Sequence, residues 1–210
     1  MKTEIKLCGF KRMEDIVFAS SLDIDYLGMI FVENVPRTIN IDTAIKAVNI
    51  CKGAHIKSVG VFLNQDVSEI SNILNKVDLD IIQLHGNEDI EDYKGLNKKI
   101  IKTIHVTEDL KSQLSLLKLD DYLYLLDATD NQMIGGTGKT FNWNNLNNVS
   151  CEKLFIAGGL KPDNILDLLH KCTPKCVDVS SGIESEIGSK DHSLMRDFVN
   201  KVRIHNEKEN

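Results

Sequence analysis

One pattern recurs eight times along the chain. Short apolar, β-branched runs stand at residues 5–10, 26–32, 57–64, 80–86, 99–106, 122–128, 153–160 and 176–183, with amphipathic stretches of helical spacing between them. Their starts lie about 20 to 30 residues apart, which is one strand plus one crossover helix and its loops. Eight consecutive βα units predict a single-domain α/β fold, the (β/α)8 TIM barrel, over residues 1–204, with 205–210 left as a polar, frayed C-terminal tail. The rival is an open, doubly wound sheet, but its G-x-G-x-x-G fingerprint does not follow the first strand. Helix punctuation fits the repeat. Asp66 and Glu69 form a capping-box pattern, Pro162 falls in the first turn of "KPDNILDLLHKC", Asp191 is placed to cap "DHSLMRDFVNKVR", and Trp143 anchors a helix after the sixth strand.

Composition narrows the function. A net charge of −6, with the acidic residues spread along the 210-residue chain, offers no basic face to nucleic acid or anionic lipid. No apolar run reaches the ~20 residues that span a bilayer. Glu4 and Lys6 interrupt any secretory leader at the N-terminus, and five irregularly spaced cysteines fit a reducing compartment. The expectation is a cytoplasmic monomer with no nucleic-acid or membrane partner.

In such a barrel, chemistry belongs at the C-terminal strand ends. Those ends carry Cys8, Asn64, Gln83, His85, His105, Asp127, Gly158–Gly159 and Asp178 followed by Ser180–Ser181–Gly182, whereas the strand bodies are Val, Ile, Leu and Phe. The stretch "GGTGKT" (135–140) imitates a nucleotide-binding loop, but the first glycine of G-x-x-x-x-G-K-[ST] falls on Met133. It reads instead as a mobile loop over the barrel mouth, with Lys139 facing substrate or solvent. A phosphate fits better at "AGGL" and "SSGIES", after strands seven and eight. There Gly158, Gly159 and Gly182 let backbone N–H groups approach an anion, and Ser180 and Ser181 add hydroxyls.

"KLCGF", "VPRTIN", "VGVFLN", "IQLHGNED", "LLDA" with "GGTGKTFNW", "AGGLKPDNI" and "VDVSSGIE" occur in order over residues 4–200. Motif by motif, this resembles the phosphoribosylanthranilate isomerase family of tryptophan biosynthesis. The resemblance implies an Amadori rearrangement of an aminoaldose to an aminoketose without metal or organic cofactor. It assigns the catalytic base to Cys8 and the catalytic acid to Asp127, and it matches Arg37 to the arginine after strand two, suited to an anthranilate carboxylate. Val35 departs from the serine more often found before Pro-Arg. By position, Gln83, His85 and Asp178 are expected to bind substrate. Strand alternation sets Lys6 on the same inward face as Cys8, with strand eight closing against strand one. Lys6 is therefore expected beneath the thiol, paired with Asp178 and favouring the thiolate.

Several residues and functions compete with this picture. His170, Cys172 and Cys176 have a metal-like spacing but lie at the structural end of the barrel and offer only three ligands, so no metal is expected. Cys51 and Cys151 read as core filler, and His105 as rim or core. The rival functions are another sugar-phosphate isomerase or epimerase, for which the rim lacks suitably placed histidines, and a non-catalytic phosphate-ligand-binding barrel, which has no need of both Cys8 and Asp127.

Overall fold

The computed structural model describes residues 2–119, 122–128, 140–146 and 149–209. Eight parallel strands close into a barrel in sequence order: β1 (Glu4–Cys8), β2 (Tyr26–Ile30), β3 (Lys57–Phe62), β4 (Ile81–Leu84), β5 (Lys99–His105), β6 (Leu123–Asp127), β7 (Leu154–Ile156) and β8 (Cys176–Val179). β8 pairs back onto β1, with Lys6 opposite Asp178. Crossover helices α1 (Met13–Ser20), α2 (Ile41–Gly53), α3 (Val67–Leu74), α4 (Ile90–Tyr93), α5 (Leu110–Ser115) and α6 (Ile165–Leu169) pack outside, and α7 (His192–Lys208) follows β8.

Alternation along each strand divides the buried residues between two cores. Ile5, Leu7, Leu27, Met29, Ile82, Leu84, Leu126, Leu154, Ile156, Val177 and Val179 point outward and pack with the helices. Tyr26, Val59, Ile81, Ile101, Leu125, Phe155 and Cys176 point inward and fill the lower barrel. The next inward layer is polar, so the plug ends where the site begins.

The capping box at Asp66 forms with both of its hydrogen bonds, and Asp191 accepts from the backbone of Ser193 and Leu194 at the start of α7. Three local expectations change. Pro162 precedes α6, which starts at Ile165, because Asn164 accepts from Lys161 N and donates to the Gly159 carbonyl, holding 161–164 as a turn. After β6, the described residues around Trp143 form one 3-10 turn, Trp143–Leu146, where a helix was expected. Residues 135–139 of the "GGTGKT" stretch lie outside the described residues.

The polar tail is the third correction. α7 continues to Lys208, and Asn206 is buried. Asn206 accepts from Thr3 N at 3.0 Å and donates to the Thr3 carbonyl at 2.9 Å, so it occupies both backbone groups in front of β1. Arg203 adds hydrogen bonds to the Asp23 carbonyl and the Asp25 carboxylate. A polar composition concealed a helix end in which one residue, Asn206, is buried against the segment that leads into β1. Asn206→Ala leaves the Thr3 N–H buried and unpaired, while the Thr3 carbonyl keeps Arg203 Nη1 at 3.1 Å, and is expected to cost about 1–3 kcal/mol in urea unfolding.

Candidate active site

A cavity opens at the C-terminal mouth, lined by Cys8, Gln83, His85, Asp127, Gly158–Gly159, Asp178 and Ser180–Ser181, with Ile30 and Val61 as apolar wall. Nearly all of the expected site residues converge there. Gly182 does not line it. A Cβ at Gly182 would sit 1.9 Å from the Leu160 carbonyl oxygen, so this glycine lets the loops after β7 and β8 pack together. Asn64 is also outside. It accepts from Asn87 N at 2.8 Å and ties the loops after β3 and β4.

Cys8 ends β1 opposite Gly28, where a Cβ would lie 2.6 Å from Sγ, so Gly28 leaves the thiol its space. Beneath it the expected pair forms. Lys6 Nζ donates to Asp178 Oδ2 at 2.8 Å, with Lys6 fully buried. Burial pulls the ammonium down, but Asp178 and then Cys8 more than reverse this and hold Lys6 above its ordinary range. Asp178 is pushed up by burial and held back by Lys6. A 2.8 Å contact between a buried ammonium and a carboxylate is the geometry of an ionised pair. Burial raises the Cys8 thiol, with Lys6 and, more weakly, Lys190 opposing the rise and Asp178 adding to it.

Across the mouth, Asp127 ends β6 and is buried, with His85 Nε2 at 3.7 Å from its Oδ2. Burial brings His85 down to about 4 against the pull of Asp127, so the ring is neutral near pH 7. Gln83 Nε2 donates to His85 Nδ1 at 3.3 Å, which sets the ring proton on Nε2, facing Asp127. Thr103 Oγ1 lies 3.1 Å from the same Nδ1. His105 is a rim residue that holds the His85 carbonyl through Nε2 at 2.9 Å. Among the described residues, three buried side-chain atoms that line the cavity have no hydrogen-bond partner: Gln83 Oε1, His85 Nε2 and Asp178 Oδ1.

Arg37 stands over Gly9, beside the mouth rather than in the cavity. Its Nε and Nη2 donate to the two oxygens of Glu184 at 2.8 and 2.7 Å, so a carboxylate of this protein already occupies one edge of the guanidinium. The Nη1 edge takes no hydrogen bond among the described residues. Glu184 also accepts from Lys190 Nζ at 2.9 Å. Burial pushes Glu184 up, but Arg37 and Lys190 more than offset this and hold it below the usual carboxylate range. The sequence reading missed Glu184 and Lys190. They stand in β9 (Glu184–Glu186) and β10 (Ser189–Lys190), a hairpin turned by Gly188 at φ 81°, and a loop of this composition reads as solvated.

The metal-like trio does not assemble. Cys176 is buried inside the barrel, and among the described residues no group of three His, Cys, Asp or Glu could hold an ion. Among them, too, no helix is long and apolar enough to cross a membrane.

Residues 5–201 match the family described as N-(5'-phosphoribosyl)anthranilate (PRA) isomerase. The chain belongs to the N-(5'-phosphoribosyl)anthranilate isomerase family. The family protein of Aquifex aeolicus is 36% identical over 204 residues, covering 95% of this chain and 98% of that one. The Caldanaerobacter subterraneus protein is likewise 36% identical, over 207 residues. Among solved structures, the isomerase of Thermotoga maritima superposes with a TM-score of 0.84 at 29% identity, covering 96% of this chain and 98% of that one. A family structure in complex with reduced 1-(o-carboxyphenylamino)-1-deoxyribulose 5-phosphate superposes with a TM-score of 0.79 at 26% identity. The closed eight-stranded barrel is therefore the family's fold, and the isomerase family is one of enzymes.

Proposed function

We propose that this barrel performs the reaction its family is named for, the Amadori rearrangement of N-(5'-phosphoribosyl)anthranilate to 1-(o-carboxyphenylamino)-1-deoxyribulose 5-phosphate, with Cys8 as base and Asp127 as acid. The observation that carries the assignment is the pairing of these two groups in one cavity, on strands separated by β7 and β8. Asp127 protonates the ribose ring oxygen, and the C1–O bond breaks as the aniline nitrogen supplies electrons to form an iminium. The Cys8 thiolate then takes the C2 proton, and the released pair forms the C1=C2 enolamine. Transfer of the enol proton to C1 gives the ketone. Each proton lost is matched by one gained, so no redox partner enters.

The site's charges favour the base. Lys6 and, more weakly, Lys190 favour the Cys8 thiolate against burial and the charge of Asp178. Neutral His85, with its proton on Nε2, is a donor for the developing oxygen charge beside Asp127. Gln83 Oε1 and Asp178 Oδ1 are acceptors for ribose hydroxyls. The phosphate rests against the backbone of Gly158–Gly159, at φ 88° and 62°, and the hydroxyls of Ser180 and Ser181. The anthranilate carboxylate takes the Nη1 edge of Arg37. A reducing cytoplasm is the compartment in which Cys8 stays a thiol.

The direct test is turnover by the purified chain, followed as loss of the substrate's anthranilate fluorescence. Absence of turnover would sink the assignment.

A further inference from the structure

Lys190 is a buried lysine whose charge acts only weakly on Cys8 and whose hydrogen bonds neither the base nor the acid step uses. It sits at the end of the β9–β10 hairpin with a side chain 1% exposed. Its Nζ donates to the Ser180 carbonyl at 2.9 Å and to Glu184 Oε1 at 2.9 Å, and lies 5.5 Å from the centre of the Phe10 ring. Its backbone N–H is anchored by buried Asp15 at 3.1 Å. One ammonium thus holds two elements of different purpose. Ser180 belongs to the wall assigned to phosphate, whereas Glu184 grips the Nε–Nη2 edge of Arg37.

The three parts also meet at one point. A Cβ on Gly9 would come within 2.8 Å of Ser180 Oγ, 3.1 Å of Arg37 Cδ and 3.4 Å of Lys190 Nζ, and Gly9 has φ 82°, directly after the catalytic Cys8. Two hydrogen bonds from a buried lysine and two from an arginine form a continuous chain: Ser180, Lys190, Glu184, Arg37. A solvated ammonium would move each partner separately, but a desolvated one with fixed acceptors transmits position, because releasing Glu184 leaves the buried ammonium without a counter-charge and releasing the Ser180 carbonyl leaves one of its N–H groups buried and unsatisfied.

We infer that Lys190 is a positioning residue that sets the spacing between the phosphate wall at Ser180 and the carboxylate-binding arginine, Arg37, and so fixes the distance between the two anionic ends of the substrate. This rests on the isomerase reading for what those ends are. A misplacement of about 1 Å at such a clamp costs about 10²-fold in productive binding.

Steady-state kinetics on four proteins test it: the unaltered chain, Lys190→Met, Arg37→Met and the double variant. Turnover by the unaltered chain reports on the isomerase reading alone, and the ratios between variants report on Lys190. Lys190→Met is expected to raise KM about 10- to 100-fold with a much smaller change in kcat. In the Arg37→Met background the same substitution should raise KM far less, since one of the two elements it places is gone. It should also weaken competitive inhibition by inorganic phosphate, which reads the Ser180 branch. An equal KM penalty in both backgrounds would show that Lys190 acts independently of Arg37 and would overturn the inference. So would an unchanged KM, or a loss confined to kcat. If Lys190→Met does not fold, Glu184→Gln removes the same link while keeping the side-chain shape, with the same KM expectation and the same overturning results.

Discussion

Cys8→Ala and Asp127→Asn are each expected to lower kcat/KM by about 10²- to 10⁴-fold, the range that one positioned acid or base contributes. Both changes leave the fold in place. Cys8→Ala removes one sulfur beside Gly28, and Asp127→Asn keeps shape and burial while withdrawing the proton that must reach the ring oxygen. Product binding should survive in both variants, because the proposed phosphate and carboxylate contacts lie on other residues. Cys8→Asp is the informative third variant. A carboxylate above Lys6 is ionised at neutral pH and can take the C2 proton, so it should retain more turnover than alanine. Stopped-flow fluorescence would decide the matter. Full activity in Cys8→Ala or in Asp127→Asn would refute the assigned mechanism.

Lys6→Met carries the second large effect, on stability and on pH dependence together. Removing the ammonium strands Asp178 in the barrel, and breaking a buried pair from one side costs about 3–5 kcal/mol. The sign with pH follows from the carboxyl. Burial already lifts Asp178, and without Lys6 only the weaker pull of Lys190 opposes the rise. Above the unfolded value of about 3.9, the unfolded chain has lost this proton while the native variant keeps it, so stability falls by about 1.4 kcal/mol per pH unit until the native carboxyl ionises. The variant should therefore lie nearest the unaltered protein around pH 4 and furthest from it at pH 8. Urea unfolding at the two values measures this, and a penalty independent of pH would exclude the mechanism. In the unaltered chain Lys6 is held above its ordinary range, so its contribution persists through neutral pH and is lost only in strong alkali. The same substitution removes the strongest opposition to the upward push on Cys8, so the acidic limb of the pH–rate profile moves to higher pH. An unchanged profile and an unchanged thiol titration would separate Lys6 from the base.

Much of this site is legible in the sequence. The period-2 alternation of β1 sets Lys6 and Cys8 on one face, and barrel closure brings Asp178 opposite Lys6, so the buried pair follows from strand order alone. The cavity residues are readable because a polar side chain closing an apolar strand carries a desolvation cost unless it faces water or a ligand. Glu184 and Lys190 are not. Their burial depends on a two-strand hairpin folding back over Gly9, a long-range event without a periodic signature. Arg37 falls after β2 as expected, but its prior engagement with Glu184 is hidden for the same reason. The α7 terminus fails differently. A buried Asn206 is indistinguishable by composition from a solvated one, and only the backbone groups of Thr3 that it satisfies account for it.

The Lys6–Asp178 contact joins residues 172 positions apart and sits on the seam where the last barrel strand meets the first. Seven strands can pair as the chain leaves the ribosome, but the group beneath the base has no counter-charge until β8 arrives. With Cys8 as the proposed base, nascent chains are expected to gain turnover only after synthesis has passed Asp178. In a refolding experiment, the return of turnover should lag behind the return of helical circular dichroism, because it reports closure of the slowest, most distant strand pair and not the collapse that precedes it.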